Sequence, residues 1–213
     1  MPWCSATEEP PMPSSNPKLL AALALALLAS ACAGPQIAPP RRLLLSYEGP
    51  APAQSELARP RLVVRAVTVP DYLDRRQLVY RAEGVELRHY EQVEWAERPA
   101  KAVTRWLTQA LAARRADYAV LALTTPDGRA PDATLSLSLD AFEPGRDGVL
   151  RLRGSWAYAR HAQAASRTGR FDADVPTAAA TPEASVAAMQ QALQQAFERL
   201  VVALPAAVQG EGA

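Results

Sequence analysis

ATLSLSLDAF (residues 133–142) and LRLRGSWAYAR (residues 150–160) decide the fold. In the first, Leu135, Leu137, Leu139 and Ala141 share one face, with Thr134, Ser136, Ser138 and Asp140 opposite. In the second, Leu150, Leu152, Trp156 and Tyr158 face one way and Arg151, Arg153 and Ser155 the other. A period of two is the mark of a strand with one face in a core and one in water. EPGRDG (143–148) makes the turn between them. RTGRFDADV (167–175) repeats the pattern, with Phe171, Ala173 and Val175 against Arg170, Asp172 and Asp174. The three segments predict an antiparallel meander with one packed face.

The period changes on either side of this meander. Upstream, Arg98–Arg115 sets Val103, Trp106, Leu107, Ala110 and Leu111 at helical spacing, with Pro99 in the first turn and basic residues at the end. Downstream, Thr181-Pro182-Glu183 opens a second stripe of Val186, Met189, Leu193, Phe197, Leu200 and Val201, with Thr181 as N-cap and Pro205 as the stop. Strands are also expected at 42–47, 61–69 and 118–123. A hairpin is expected from 78–82 and 85–91 around a two-residue Glu83-Gly84 turn. In it Val85, Leu87 and His89 share a face, which reads His89 as a half-buried histidine. Together these predict an α+β domain over residues 42–204. It is a two-layer sandwich of one mixed, largely antiparallel sheet with both amphipathic helices on one face. Residues 205–213 read as a disordered tail.

The N-terminus reads differently. LLAALALALLA (19–29) follows Lys18 and is too short for the roughly 20 apolar residues that span a bilayer, but it has the length of a signal-peptide core. Ala29-Ser30-Ala31-Cys32 then resembles a bacterial lipobox, with Ala29 where Leu is usual. The resemblance implies a signal peptide over 1–31 and a covalent acyl/diacylglycerol anchor on Cys32, with no other cofactor. AGPQIAPPR (33–41) follows as a Pro-rich tether, so 32–41 join anchor to domain. Glu8 and Glu9 do not suit a signal peptide, and Met12 is the expected start. Ala33 in place of Asp resembles the outer-membrane class. Cys32 would be the only thiol of the processed chain, so no internal disulfide is expected.

Composition excludes several roles. Among 213 residues, 23 Lys and Arg balance 22 Asp and Glu, which argues against a dedicated nucleic-acid binder. Two Cys and two His, with no CxxC or HExxH, leave little for a metal site. No P-loop, Gly-rich dinucleotide turn or Gly-x-Ser-x-Gly is present, and no catalytic residue is assigned.

Two segments are locally odd. PDYLDRRQ (70–77) sets Tyr72 and Leu73 among charges, as a contact loop or as a turn whose apolar residues plug the core. Trp95-Ala96-Glu97 precedes the first helix, where Trp95 would staple its entrance and Glu97 serve its positive end. Tyr72, Leu73, Asp74, Arg75, Trp95 and Glu97 are the candidate partner-binding residues.

PDYLDRRQLVYR (70–81) and VEWAERPAKAVTRWLTQAL (93–111) resemble the paired motifs of the PqiC-type ABC-transport auxiliary lipoproteins. Tyr72, Leu73, Asp74, Arg75, Gln77, Arg81, Trp95, Ala96 and Glu97 match. Arg76 stands where the family often has Pro, and Arg98-Pro99 displaces a Pro by one place. The likeness runs from Leu43 to about Val202. It implies an outer-membrane, periplasm-facing lipoprotein that works with a permease, an ATPase and a tunnel-forming MCE-domain protein carrying lipid between membranes. It also implies that the lipoprotein is not the motor or an enzyme. A structural lipoprotein acting by homo-oligomerisation and a lipid-binding envelope enzyme are the alternatives.

Overall fold

The computed structural model describes Lys18 and residues 38–51, 59–123, 129–161 and 165–207. The chain divides into two units, residues 1–39 and 40–213. Apart from Lys18, the segment expected to be a signal peptide lies outside the described residues, as do Cys32, the expected tether up to residue 37, and residues 208–213.

The second unit is α+β. Its elements are β1 (Arg41–Leu43), β2 (Arg61–Val64), β3 (Gln77–Arg81), β4 (Leu87–Trp95), α1 (Pro99–Arg114), β5 (Ala119–Ala122), β6 (Ala133–Pro144), β7 (Val149–Arg160), β8 (Ala165–Pro176) and α2 (Pro182–Ala203). The strands form two sheets where one was expected, a three-stranded sheet ordered β1-β4-β3 and a five-stranded sheet ordered β5-β2-β6-β7-β8. The meander β6-β7-β8 is antiparallel throughout. β2 runs parallel to both its neighbours, β5 and β6, and all four of its residues are buried. A parallel strand between two others is covered on both faces, so it loses the alternation of the meander.

Both helices pack on one face of the five-stranded sheet. Leu137, Leu139 and Phe171 meet Val103, Trp106, Leu107, Leu193 and Phe197, leaving an apolar space of about 20 Å³. That is far below the roughly 300 Å³ at which ligand pockets begin. Trp106 of α1 stands edge-on to Phe197 of α2 at 5.7 Å and to Tyr47, beyond β1, at 5.8 Å. This chain of rings joins both helices to the segment after β1. The helix ends are those expected. Pro99 opens α1, and the Thr181 side chain accepts from the Ala184 amide at 3.2 Å at the start of α2.

Three local expectations are corrected. Ala141 was placed on the core face of β6, but the register shifts between Leu139 and Ala141, and Phe142, 1 % exposed, takes that place. An extra residue in one strand inverts every later side chain. Second, Arg81 pairs with Leu87, so the hairpin loop is 82–86, not two residues. Val85 is 95 % exposed, and Leu87 and His89 are exposed too. β1 covers β4 only at Val93–Trp95. Between the two halves of β4, Gln92 has φ 55, a left-handed conformation costing a non-Gly residue about 1–2 kcal/mol. The register shift there turns Val93 and Trp95 into the core. Third, Pro205–Ala207 are held on the body. Arg115 donates to the Pro205 carbonyl at 2.5 Å, Arg160 to that of Ala206 at 2.7 Å, and the Ala207 amide to Asp117 at 2.8 Å.

Candidate functional site

The two motif segments form one structural unit. Residues 70–76 make a tight turn in which the Pro70 carbonyl accepts from the amides of Leu73 (2.8 Å) and Asp74 (3.1 Å). Leu73 is 4 % exposed and anchors the turn in the core. The next residues pair with the end of β4. The Trp95 amide donates to the Arg76 carbonyl at 2.6 Å, and Gln77 lies opposite Glu94. Trp95 is therefore the last residue of β4, 5 % exposed, and not a staple on the approach to the helix.

The start of α1 lacks a cap of its own. Arg98, at the N-cap, makes no capping bond, and the first turn has no acidic residue. Asp74 supplies both needs from 26 positions away, its Oδ1 accepting from the Ala100 amide at 3.1 Å. A carboxylate there satisfies an orphan donor and meets the positive end of the helix dipole. Arg98 in turn donates to the Asp74 carbonyl at 3.0 Å and lies 3.8 Å from its carboxylate. Glu97, expected to serve the helix start, instead accepts from Arg105 Nε at 2.9 Å and lies 3.6 Å from Lys101 Nζ. Arg105 also donates to the Leu45 carbonyl at 2.8 Å, clamping α1 to the chain after β1.

Tyr72 reaches another residue, Glu143, at the end of β6. Glu143 is 2 % exposed and accepts from Arg81 Nη2 at 2.5 Å, the Phe142 amide at 2.9 Å and the Tyr72 hydroxyl at 3.2 Å. Burial, then the adjacent Glu143 carboxylate, pushes the Tyr72 hydroxyl up to about 12. The hydrogen bond to Glu143 raises the Arg81 guanidinium above its ordinary range. The sequence reading missed Glu143, assigning it to the turn. No local signal marks it, because its burial follows from the register shift that turns Phe142 into the core and from the strand pairing as far as Pro144.

Of the six candidates, the structure brings Tyr72, Leu73, Asp74, Trp95 and Glu97 together as the seat of the loop. Arg75 is exposed, as are Asp71 and Arg76 beside it. Cys32 lies outside the described residues. Among the described residues no three His, Cys, Asp or Glu side chains gather as metal ligands would, and no helix is long and apolar enough to cross a membrane.

A two-layer α+β body with a polar-clamped motif junction defines a class that comparison with known proteins identifies. Residues 43–201 match the family described as ABC-type transport auxiliary lipoprotein component, and the chain belongs to that family. No curated protein matches it. Two crystal structures share the fold. One is of an uncharacterized protein, 19 % identical, with a TM-score of 0.63 over 77 % of this chain and 97 % of that one. The other is protein XCC0632 from Xanthomonas campestris, 18 % identical, with a TM-score of 0.57 over 76 % of this chain and 90 % of that one.

Proposed function

We propose that the protein is a lipid-anchored, periplasm-facing accessory subunit of an ABC/MCE-type intermembrane lipid transport system, held at the outer membrane through Cys32. The observation that carries this reading is the family match over residues 43–201, which is to a transport auxiliary lipoprotein. The Ala29-Ser30-Ala31-Cys32 sequence supplies the anchor and Ala33 favours the outer membrane. Two or more acyl chains on one Cys give stable anchoring, which a single chain does not. The anchor keeps the domain at high effective concentration beside the MCE-domain tunnel protein it docks. The filled space between helices and sheet supports an adaptor role, because the sandwich interior offers no room for a lipid. Within the motif junction, Tyr72, Leu73, Asp74, Trp95 and Glu97 shape the contact loop, and Arg75 is the residue it presents.

The test is affinity capture of the lipidated protein from detergent-solubilised membranes. An MCE-domain protein is expected among the captured partners. Its absence, under conditions that preserve a known transporter of this type, overturns the reading. Cys32→Ser is expected to release the protein into the soluble periplasmic fraction. Unchanged membrane retention overturns the anchor.

A further inference from the structure

The hairpin loop 82–86 stands free at one end of the domain. Gly84 takes φ 57, and a Cβ there would meet nothing within 4 Å. Val85 beside it is 95 % exposed and Leu87 37 %. The hairpin is nonetheless fixed to the body. Tyr80 and Tyr90 pack with ring centroids 4.9 Å apart, and the Tyr90 hydroxyl lies 2.9 Å from Ser185 Oγ near the start of α2. The turn 145–148 lies alongside, its Arg146 amide bonded to the Arg81 carbonyl at 2.9 Å. Ala178, Ala179 and Ala180, all exposed, precede α2 at the same end. Glu83, Glu86 and Glu91 are offset by Arg88, which lies 2.8 Å from Glu86, and by exposed Arg146, so the charge here is close to balanced. A single exposed valine is ordinary on a protein surface, and the position of this one gives it meaning.

That position is set by how the chain enters the domain. β1 is parallel to β4, with Arg41 opposite Val93 and Leu43 opposite Trp95, so the chain arrives at Arg41 from the hairpin side. Arg41 also pairs with Glu183 in the first turn of α2 at 2.6 Å, which puts the entry at the same end as residues 178–180. From Val93 back to Leu87, β4 covers about 20 Å, and the loop carries Val85 beyond that. The chain from Cys32 to Arg41 spans at most about 30 Å when fully extended. Given the anchor at Cys32, on which this inference rests, the tether outreaches the hairpin by no more than about 10 Å. The headgroup layer alone takes up roughly 5–8 Å of that. Val202, 87 % exposed, lies at the other end of α2, and the 70–77 turn at the other end of β3.

We infer that the hairpin tip, with Val85 foremost and Leu87 behind it, seats the domain in the interface of the bilayer that holds its anchor. The contact is apolar. Moving Val85 from water towards the acyl boundary is favourable, and the near-balanced charge around the tip neither draws it to anionic lipid nor holds it off. β3 leads from the 70–77 turn to the hairpin, so seating the tip turns the motif junction and its exposed Arg75 away from the bilayer. A partner that spans the periplasm meets that side.

The test uses the full lipidated protein in phosphatidylcholine vesicles. Acylation occupies the Cys32 thiol, so Glu83→Cys gives the processed chain one free thiol for a fluorophore at the tip, and Arg75→Cys gives one at the other end of β3. Flotation reads the anchor, and quenching by a spin label on the phosphatidylcholine headgroup reads contact with the interface. The protein is expected to float, with the fluorophore at 83 quenched and that at 75 not, at low and high salt alike. Val85→Asp in the Glu83→Cys protein is expected to lower the quenching about fivefold while flotation is unchanged. Val85 is exposed, so that substitution spares the core. No quenching at 83, or equal quenching at 83 and 75, in protein that floats overturns the seating and leaves the anchor standing. Quenching that Val85→Asp does not lower overturns the apolar contact. Failure to float overturns the anchor and the seating with it. Burial of the fluorophore at 83 by an added MCE-domain protein, without quenching by lipid, overturns the seating and assigns the tip to that protein.

Discussion

The five-stranded sheet with its helices and the motif junction are held together by different forces. In the first, Leu, Val, Phe and Trp side chains interdigitate, and most polar groups of the meander stay on its wet face, with the buried Tyr118–Tyr158 hydroxyl pair an exception. In the second, Asp74 caps a helix in another segment, Glu143 gathers Tyr72 and Arg81, and Glu97 clamps Arg105. Apolar packing tolerates many substitutions that keep volume and pattern, so residues of the right kind at the right period suffice to specify it coarsely. A buried polar network needs particular partners, because each unsatisfied member costs the full desolvation of its group. Motif residues that look like a contact surface in sequence can thus be required by the fold. Here most of them build the platform from which two arginines project.

Changes that strike at one region and spare the other sharpen this contrast. The largest effect is expected from Trp106→Ala, which removes the ring between Tyr47 and Phe197 and costs about 3–5 kcal/mol by chemical denaturation. If it costs no more than an exposed substitution such as Val202→Ser, packing does not dominate the body. Next, Arg81→Met leaves the buried Glu143 carboxylate without its cation and is expected to cost about 3 kcal/mol. Adding Glu143→Gln should recover part of that loss, and a double-mutant cycle measures the coupling. Asp74→Ala should cost about 1 kcal/mol, the value of a helix cap, with Asp74→Asn losing less.

The smallest effects separate the regions by pH. Tyr72 and Tyr118 are both pushed up to about 12, by burial first and then by Glu143 and Tyr158 respectively. A hydroxyl raised in the folded state contributes stability that is whole below its ordinary value of about 10 and is lost as pH rises towards about 12. Tyr72→Phe should flatten the alkaline loss attributable to the junction and leave that of the body. Asp117 moves the other way. Its hydrogen bond with Arg115 holds its carboxyl below the ordinary range. Its contribution is present above about 3.9 and falls away as pH drops through the folded value, so Asp117→Asn should weaken the acid dependence of unfolding. An unchanged acid profile would mean that the pair pinning residues 205–207 adds nothing measurable.

Legibility follows the same division. Both helices and the meander could be read from period alone, because Leu, Val and aromatic spacing is a local property; of the hairpin only its existence could, not its loop or its faces. The bulge after Leu139 could not, since nothing in DAF says which residue is the extra one. The exposure of Leu87 and His89 depends on where β1 begins, in a segment more than forty positions away. Of the candidate contact residues, the sequence singled out both segments, but neither their meeting in space nor their division into buried or half-buried supports and exposed arginines was legible in it.

By itself the sequence determined the α+β class, both helices with their apolar stripes and the alternation of the meander up to Leu139, because hydrophobic period is written along the chain. Only the tertiary structure decided that the strands form two sheets, that Asp74 caps a helix outside its own segment, and that Glu143 joins Tyr72 to Arg81. Those contacts close loops of tens of residues. Their energy resides in pairs that no local window contains.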